Sequence, residues 1–174
     1  KFSSHIHAVD AWKLEEGSRD VVVAVIDTGV DATHSALSAN MWRDPAIRSK
    51  AVYGWNFVTN QPNPTDEHGH GTHVAGIISA VASGTAARPG VSILPVQIAD
   101  AQGNTSAQSV AAGIRYAVSR GAKIINLSVH GAGYSKVEQA AIDDATRAGA
   151  LVIAASGNTG SNADRKSTRL NSSH

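Results

Sequence analysis

Residues 21–27 read VVVAVID, an unbroken apolar run that ends in a carboxylate. A β-branched run without polar alternation suits a strand buried on both faces, as in a parallel sheet covered by helices. Thr28 and Gly29 break the run, so Asp27 is expected at the strand's C-terminal end. A carboxylate in that place is partly buried and needs a partner for its charge; an imidazole N–H is one that suits. The plainer alternative is an aspartate that caps the following turn.

The same alternation continues along the chain. Further strands are expected at 92–99 (SILPVQIA), 123–128 (KIINLS) and 151–155 (LVIAA), with a short one near 52–57. Helices are expected at 71–83, 105–120 and 135–148. Val110, Ile114 and Val118 recur on one face of the second of these. Asn104 to Ala107 reads as its N-cap, with the helix running from Thr105. Ser135 and Glu138 have the spacing of a capping box. Gly121 and Gly149 close the last two helices in the left-handed conformation that glycine accepts. Alternating strands and helices define an α/β class, a three-layer, mostly parallel sheet with helices on both faces. Functional groups in such sheets gather at the C-terminal ends of strands, where Asp27, Ser128 and Asn158 fall.

Composition narrows the function classes. The 174 residues suffice for one domain, and 42% hydrophobic with 17% charged residues describes a globular chain. With 15 basic and 14 acidic residues, no electrostatic reason exists to expect nucleic acid or a membrane surface as partner. There is no cysteine, which excludes disulfides and thiolate metal sites. No apolar run is long enough to span a bilayer. Lys1 to Asp10 lacks a signal-peptide pattern, and the first residue is not Met.

Two further segments carry chemistry. GHGTHVAG, Gly69 to Gly76, sets His70 among glycines that let the backbone turn sharply into a helix, leaving the imidazole accessible. Ala75 and Gly76 are small enough for that helix to lie close to the sheet. AASGNTG, Ala154 to Gly160, follows a buried strand and offers Asn158, whose amide can donate to a developing oxyanion. Read singly, each is as well explained by turn formation.

Together with VIDTGVD these segments resemble the subtilisin-like serine proteases, the subtilases. HGTHVAG is similar to their histidine motif, INLSVHG (Ile125 to Gly131) to their substrate-binding strand, and AASGNTG to their oxyanion-hole segment. The resemblance runs from about Ala8 to Asn162 in the family's order. It implies a serine endopeptidase in which His70 is the general base, Asp27 orients and stabilises the imidazolium, and Asn158 binds the oxyanion. It further implies that Ser128, Val129 and His130, with Ala155, Ser156 and Gly157, bind the backbone of a polypeptide substrate by β-augmentation. The chemistry would need no metal or other cofactor. The family pattern also implies secretion, an inhibitory prosegment and a monomer.

The chain departs from the family in three places. His130 stands where a small residue is usual and would narrow or repolarise the S1 cleft. The stretch from Ser83 to Val91 lacks the longer calcium-binding loop of many members, which leaves a structural calcium open for the full-length protein without supporting one here. Most important, the nucleophile motif G-T-S-M-A occurs nowhere; Asn104-Thr105-Ser106-Ala107 lacks its Met and precedes Asn158. The chain as it stands is therefore expected to be inactive.

Residues 164–174, DRKSTRLNSSH, change character abruptly and carry three of the 15 basic residues. A common sequencing-adapter string, translated in one frame, yields these eleven residues without a mismatch. The expectation is that residues 1–163 are the N-terminal part of a subtilisin-like catalytic domain and 164–174 are not native. Two other readings compete. His68, His70 and His73 form H-x-H-x-x-H, similar to a zinc motif of metallo-β-lactamase-fold hydrolases, with Thr72 in place of its aspartate. A peptide-binding pseudoprotease is the other, though it leaves a retained base and oxyanion donor without purpose.

Overall fold

The computed structural model describes residues 7–14, 17–45, 53–83, 90–129 and 134–155. Five strands, β1 Val22–Asp27, β2 Trp55–Asn56, β3 Ser92–Gln97, β4 Ile124–Leu127 and β5 Leu151–Ala154, form one sheet. Their order is β2-β3-β1-β4-β5, and every neighbouring pair is parallel. The helices are α1 Ala8–Ala11, α2 His70–Ser83, α3 Ala107–Ser119 and α4 Lys136–Arg147. The fold is the α/β arrangement expected from the alternation of apolar runs.

Why β1 has no polar alternation is visible in its two faces. Successive strand side chains point to opposite sides of a sheet. Ala24 and Ile26 pack with Leu94, Val96, Ile125 and Leu127 under Val110 and Ile114 of α3 and Ala141 and Ala145 of α4. Val23 and Val25 face the other way, with Ile93, Val30, Leu37, Met41 and Ala75 of α2. Both faces are covered, so every side chain from Val23 to Asp27 is buried. At the β5 edge the covering is one-sided. Val152 and Ala154 pack toward α4, whereas Leu151 and Ile153 are 59% and 47% exposed on the opposite face.

Pro95 sits in the middle of an interior strand, where a missing N–H ordinarily breaks a ladder. Backbone alternation explains its tolerance. The Ile93 N–H points to the β2 side and donates to Asn40 O, so position 95 faces that side too. Pairing with β2 begins only at Val96, and no ladder bond is forfeited.

Element ends differ from expectation by a residue or two. The helix expected from Thr105 begins at Ala107, because the cap is Ser106, whose Oγ accepts from Ser109 N at 3.0 Å. Ser135 caps α4 as expected by accepting from Glu138 N. Gly121 and Gly149 have φ of 80° and 82°. One packing expectation is corrected: a Cβ at Gly76 would meet nothing within 4 Å, so Ala75 alone of that pair is pressed against the core.

Two helix-interior glycines should therefore respond oppositely to alanine. At Gly113 a Cβ would lie 2.9 Å from Ile98 and 3.2 Å from Val96, where α3 meets the sheet. Overpacking of about 1–3 kcal/mol outweighs a helix-propensity gain of about 1 kcal/mol. Gly113→Ala is expected to destabilise the chain and Gly76→Ala to stabilise it by about 0.5–1 kcal/mol. Urea denaturation monitored by far-UV circular dichroism measures both.

Candidate active site

The last side chain of β1, Asp27, is fully buried. Its Oδ1 accepts from the Thr28 N–H at 2.7 Å and lies 2.8 Å from His70 Nδ1. Oδ2 has no hydrogen-bond partner among the described residues. An ionised carboxylate can only accept, so Nδ1 carries the imidazole proton and Nε2 keeps its lone pair. Asp27 thus selects the tautomer in which His70 can take a proton from another group. The His70 side chain is 45% exposed. Its ring meets His68 edge-on, with centroids 6.3 Å apart.

The two residues are 43 positions apart, and missing side chains bring them together. His70 opens α2, after Gly69 turns with φ 95°. A Cβ on Gly71 would lie 2.1 Å from Gly29 O and 3.1 Å from Asp27 Cβ. Only glycine lets the first turn of α2 approach the end of β1 so closely. Gly29 answers it with φ 110°, where a Cβ would lie 2.7 Å from Pro64 O, and Val30 N donates to that same oxygen.

Asp66 is part of this junction and was not singled out from the sequence. Its Oδ1 accepts from Thr28 Oγ1 at 2.8 Å, Gly69 N at 2.8 Å and His68 N at 3.0 Å. Its Oδ2 accepts from Thr72 N at 2.9 Å and Thr72 Oγ1 at 2.6 Å. Burial pushes this carboxyl's pKa up, but the hydrogen bonds from Thr72, Gly69 and Thr28 outweigh it and hold it below the usual carboxylate value. Spacing gave no signal for it, because Asp66 lies four residues before His70, the first residue of α2, and so outside the N-cap position.

The remaining expected site residues divide in two. Ile26 pairs with Leu127, and Leu127 with Ala154, so the ends of β4 and β5 adjoin the end of β1. Ser128, Val129 and Ala155 follow there, at the same edge of the sheet as Asp27. Ser128 Oγ accepts from Asn126 Nδ2 at 2.8 Å, and Ala155 N donates to Leu127 O at 3.0 Å. His130, Ser156, Gly157 and Asn158 lie outside the described residues. The zinc reading gains no support: among the described residues no three His, Cys, Asp or Glu side chains converge as a metal centre requires.

With this geometry, comparison with known proteins is informative. Residues 18–173 match the subtilase family, and the chain belongs to that family. It is 40% identical over 164 residues to thermitase of Thermoactinomyces vulgaris, covering 91% of this chain and 54% of that protein. It is 42% identical over 148 residues to the cell wall-associated protease of Bacillus subtilis (strain 168), covering 83% of this chain and 16% of that protein. Among solved structures, a lanthipeptide protease superposes with a TM-score of 0.75 at 30% identity, over 92% of this chain and 46% of that one. A cold-adapted subtilisin-like serine proteinase, 24% identical with a TM-score of 0.67 over 86% of this chain and 51% of that one, shares the fold. The chain spans about half the length of thermitase.

Two outcomes follow from the junction. Gly71→Ala is expected to push the start of α2 away from Gly29, costing about 1–3 kcal/mol and abolishing the slowly exchanging His70 Nδ1–H signal in proton NMR. The second concerns acid. Because the folded-state pKa of Asp66 is lowered, its contribution is complete above the unfolded value near 3.8 and disappears as pH falls through the folded value. Urea midpoints of the parent should exceed those of Asp66→Asn at pH 7, with the gap closing below that unfolded value.

Proposed function

We propose that this chain is the Asp- and His-bearing part of a serine endopeptidase of the subtilisin type. The observation that carries the reading is the 2.8 Å contact between buried Asp27 and half-exposed His70 at the C-terminal edge of a parallel sheet. Membership of the subtilase family supports it.

In this reading His70 Nε2 removes the proton from a serine hydroxyl as that oxygen attacks the scissile carbonyl. The same nitrogen then returns the proton to the leaving amine. Asp27 stabilises the imidazolium formed between the two steps. Asn158 donates its side-chain amide to the tetrahedral oxyanion. Ser128, Val129 and His130 on one side, and Ala155, Ser156 and Gly157 on the other, hold an extended polypeptide substrate as an added strand. The adjoining ends of β4 and β5 support this reading, since both leave backbone running past the edge where Asp27 and His70 meet. His130 narrows the S1 cleft. The chemistry uses no cofactor, and the sequence between Ser83 and Val91 offers no extended calcium loop. The complete protein is a secreted monomer made with an inhibitory prosegment; no helix among the described residues is long and apolar enough to cross a membrane.

The serine nucleophile is absent from the chain, which on this reading has no peptidase activity. Residues 164–174 are read as translated adapter, with the native gene continuing beyond Asn162. Sequencing the source locus tests this: a downstream G-T-S-x-A segment is expected, and native coding of DRKSTRLNSSH would refute the adapter reading. The complete catalytic domain should cleave casein and lose activity to a serine-directed covalent inhibitor. His70→Ala in that protein should lower kcat by about a hundred- to ten-thousandfold, the usual worth of a general base. Undiminished hydrolysis by His70→Ala would overturn the assignment.

A further inference from the structure

Two hydroxyls join the end of β1 to the first turn of α2, and both are oriented by the same carboxylate. Thr28 Oγ1 donates to Asp66 Oδ1 at 2.8 Å and accepts from Gly71 N at 3.1 Å. Thr72 Oγ1 donates to Asp66 Oδ2 at 2.6 Å and accepts from Asp31 N at 2.9 Å. A hydroxyl has one proton and two lone pairs, and its proton rotates toward the best acceptor. An ionised carboxylate only accepts, so each threonine proton turns to Asp66 and each oxygen presents lone pairs elsewhere. Those lone pairs receive the N–H of Gly71, next to His70, and the N–H of Asp31, four residues past Asp27. One link runs from the β1 turn to α2, the other from α2 to the β1 turn.

We propose that Asp66 is a positioning residue for the Asp27–His70 pair: by fixing both threonine hydroxyls as acceptors, it holds the first turn of α2 in register with the end of β1. The proposal rests on reading Asp27 and His70 as the catalytic pair. Asp66 touches neither of them through a hydrogen bond of its own, and it is not a catalytic residue. Its remaining bonds, from Gly69 N, His68 N and Thr72 N, anchor the carboxylate to the turn that leads into His70 and to the first turn of α2. Three independent connections thus meet at one side chain: the loop before α2, the first turn of α2, and the turn after β1. Thr28 is nearly fully buried, so its hydroxyl has little access to water as an alternative partner. Charge-assisted hydrogen bonds of this type are the stronger ones, which suits a clamp that must keep two elements in place.

Asparagine at position 66 would keep the shape but not the function. Its one carbonyl oxygen can orient one threonine, while its amide nitrogen is a donor facing the other. One hydroxyl then accepts from that amide and, with its second lone pair, still from the backbone N–H, while its own proton loses the carboxylate that oriented it.

The experiment follows the His70 Nδ1–H proton by NMR in the 174-residue chain labelled with ¹⁵N-histidine, measuring its exchange with solvent. Thr28→Val preserves side-chain shape and removes only the link from Asp66 to Gly71, leaving the bonds from Asp66 to Gly69, His68 and Thr72. Exchange is expected to quicken about tenfold in Thr28→Val, the worth of one hydrogen bond, and at least as much in Asp66→Asn. Backbone amides of β1 and β3 serve as the reference for global opening and should change less than the imidazole proton. Exchange unchanged in Thr28→Val, or quickened only in proportion to the β1 and β3 amides, would overturn the proposal. So would absence of a protected Nδ1–H signal in the unsubstituted chain. If Asp66→Asn does not fold, Thr28→Val and Thr72→Val decide the matter alone. Casein hydrolysis by the complete domain separates the two readings. Activity with unchanged exchange removes only the role of Asp66. No activity with the expected exchange removes the peptidase reading and leaves the clamp.

Discussion

Everything around the junction is organised by the burial of one negative charge. Asp27 ends a strand that is covered on both faces, and its carboxylate is out of contact with water. An ionised group in that position is costly unless it is hydrogen-bonded by groups the fold holds in place. Only Oδ1 is served among the described residues, by Thr28 N and His70 Nδ1. The imidazole is therefore part of how the charge is accommodated, and the same bond sets its tautomer. Structural need and chemical use are met by one contact.

That contact depends on how close two backbones can come. Helix α2 reaches Asp27 because Gly71 has no side chain to strike Gly29, and the turn after β1 accepts it because Gly29 adopts a positive φ. Bare backbone approach does not fix orientation, and the polar links supply it. Thr28, Thr72 and Asp66 tie the two segments with hydrogen bonds of defined direction. Glycines permit the approach and the threonine–carboxylate links give it a register.

The parallel sheet places the rest of the edge. Strands β1, β4 and β5 run side by side in the same direction, so their C-terminal ends lie together. An extended peptide laid across such an edge meets backbone groups left over where the ladders stop. On the proposed reading, this is a physical reason for Asp27, His70 and the segments after β4 and β5 to share one side of the sheet.

Much of this was legible in the chain itself. An unalternating apolar run ending in aspartate specified a doubly covered strand with a carboxylate at its tip, and alternation of such runs with helical patterns specified the α/β class. The glycines around His70 and the motif order pointed to the pair that the fold brings to 2.8 Å. Pro95 within SILPVQIA did not mislead, although why it is tolerated depends on which neighbour its nitrogen faces, which only sheet order decides. The start of α3 was placed two residues early, at Thr105, because Asn104, Thr105 and Ser106 are all good caps by composition. Gly76 was credited with a close approach that Gly71 makes, since a sequence shows where a side chain is missing but not what would have struck it. Asp66 was passed over for the same reason. Its importance lies in two hydroxyls that converge on it from different elements, one of them 38 positions away. Periodicity and composition determine which segments are strands and helices, because those depend on neighbours along the chain. Which backbone touches which, and which hydroxyl turns toward which carboxylate, was decided only when the elements packed.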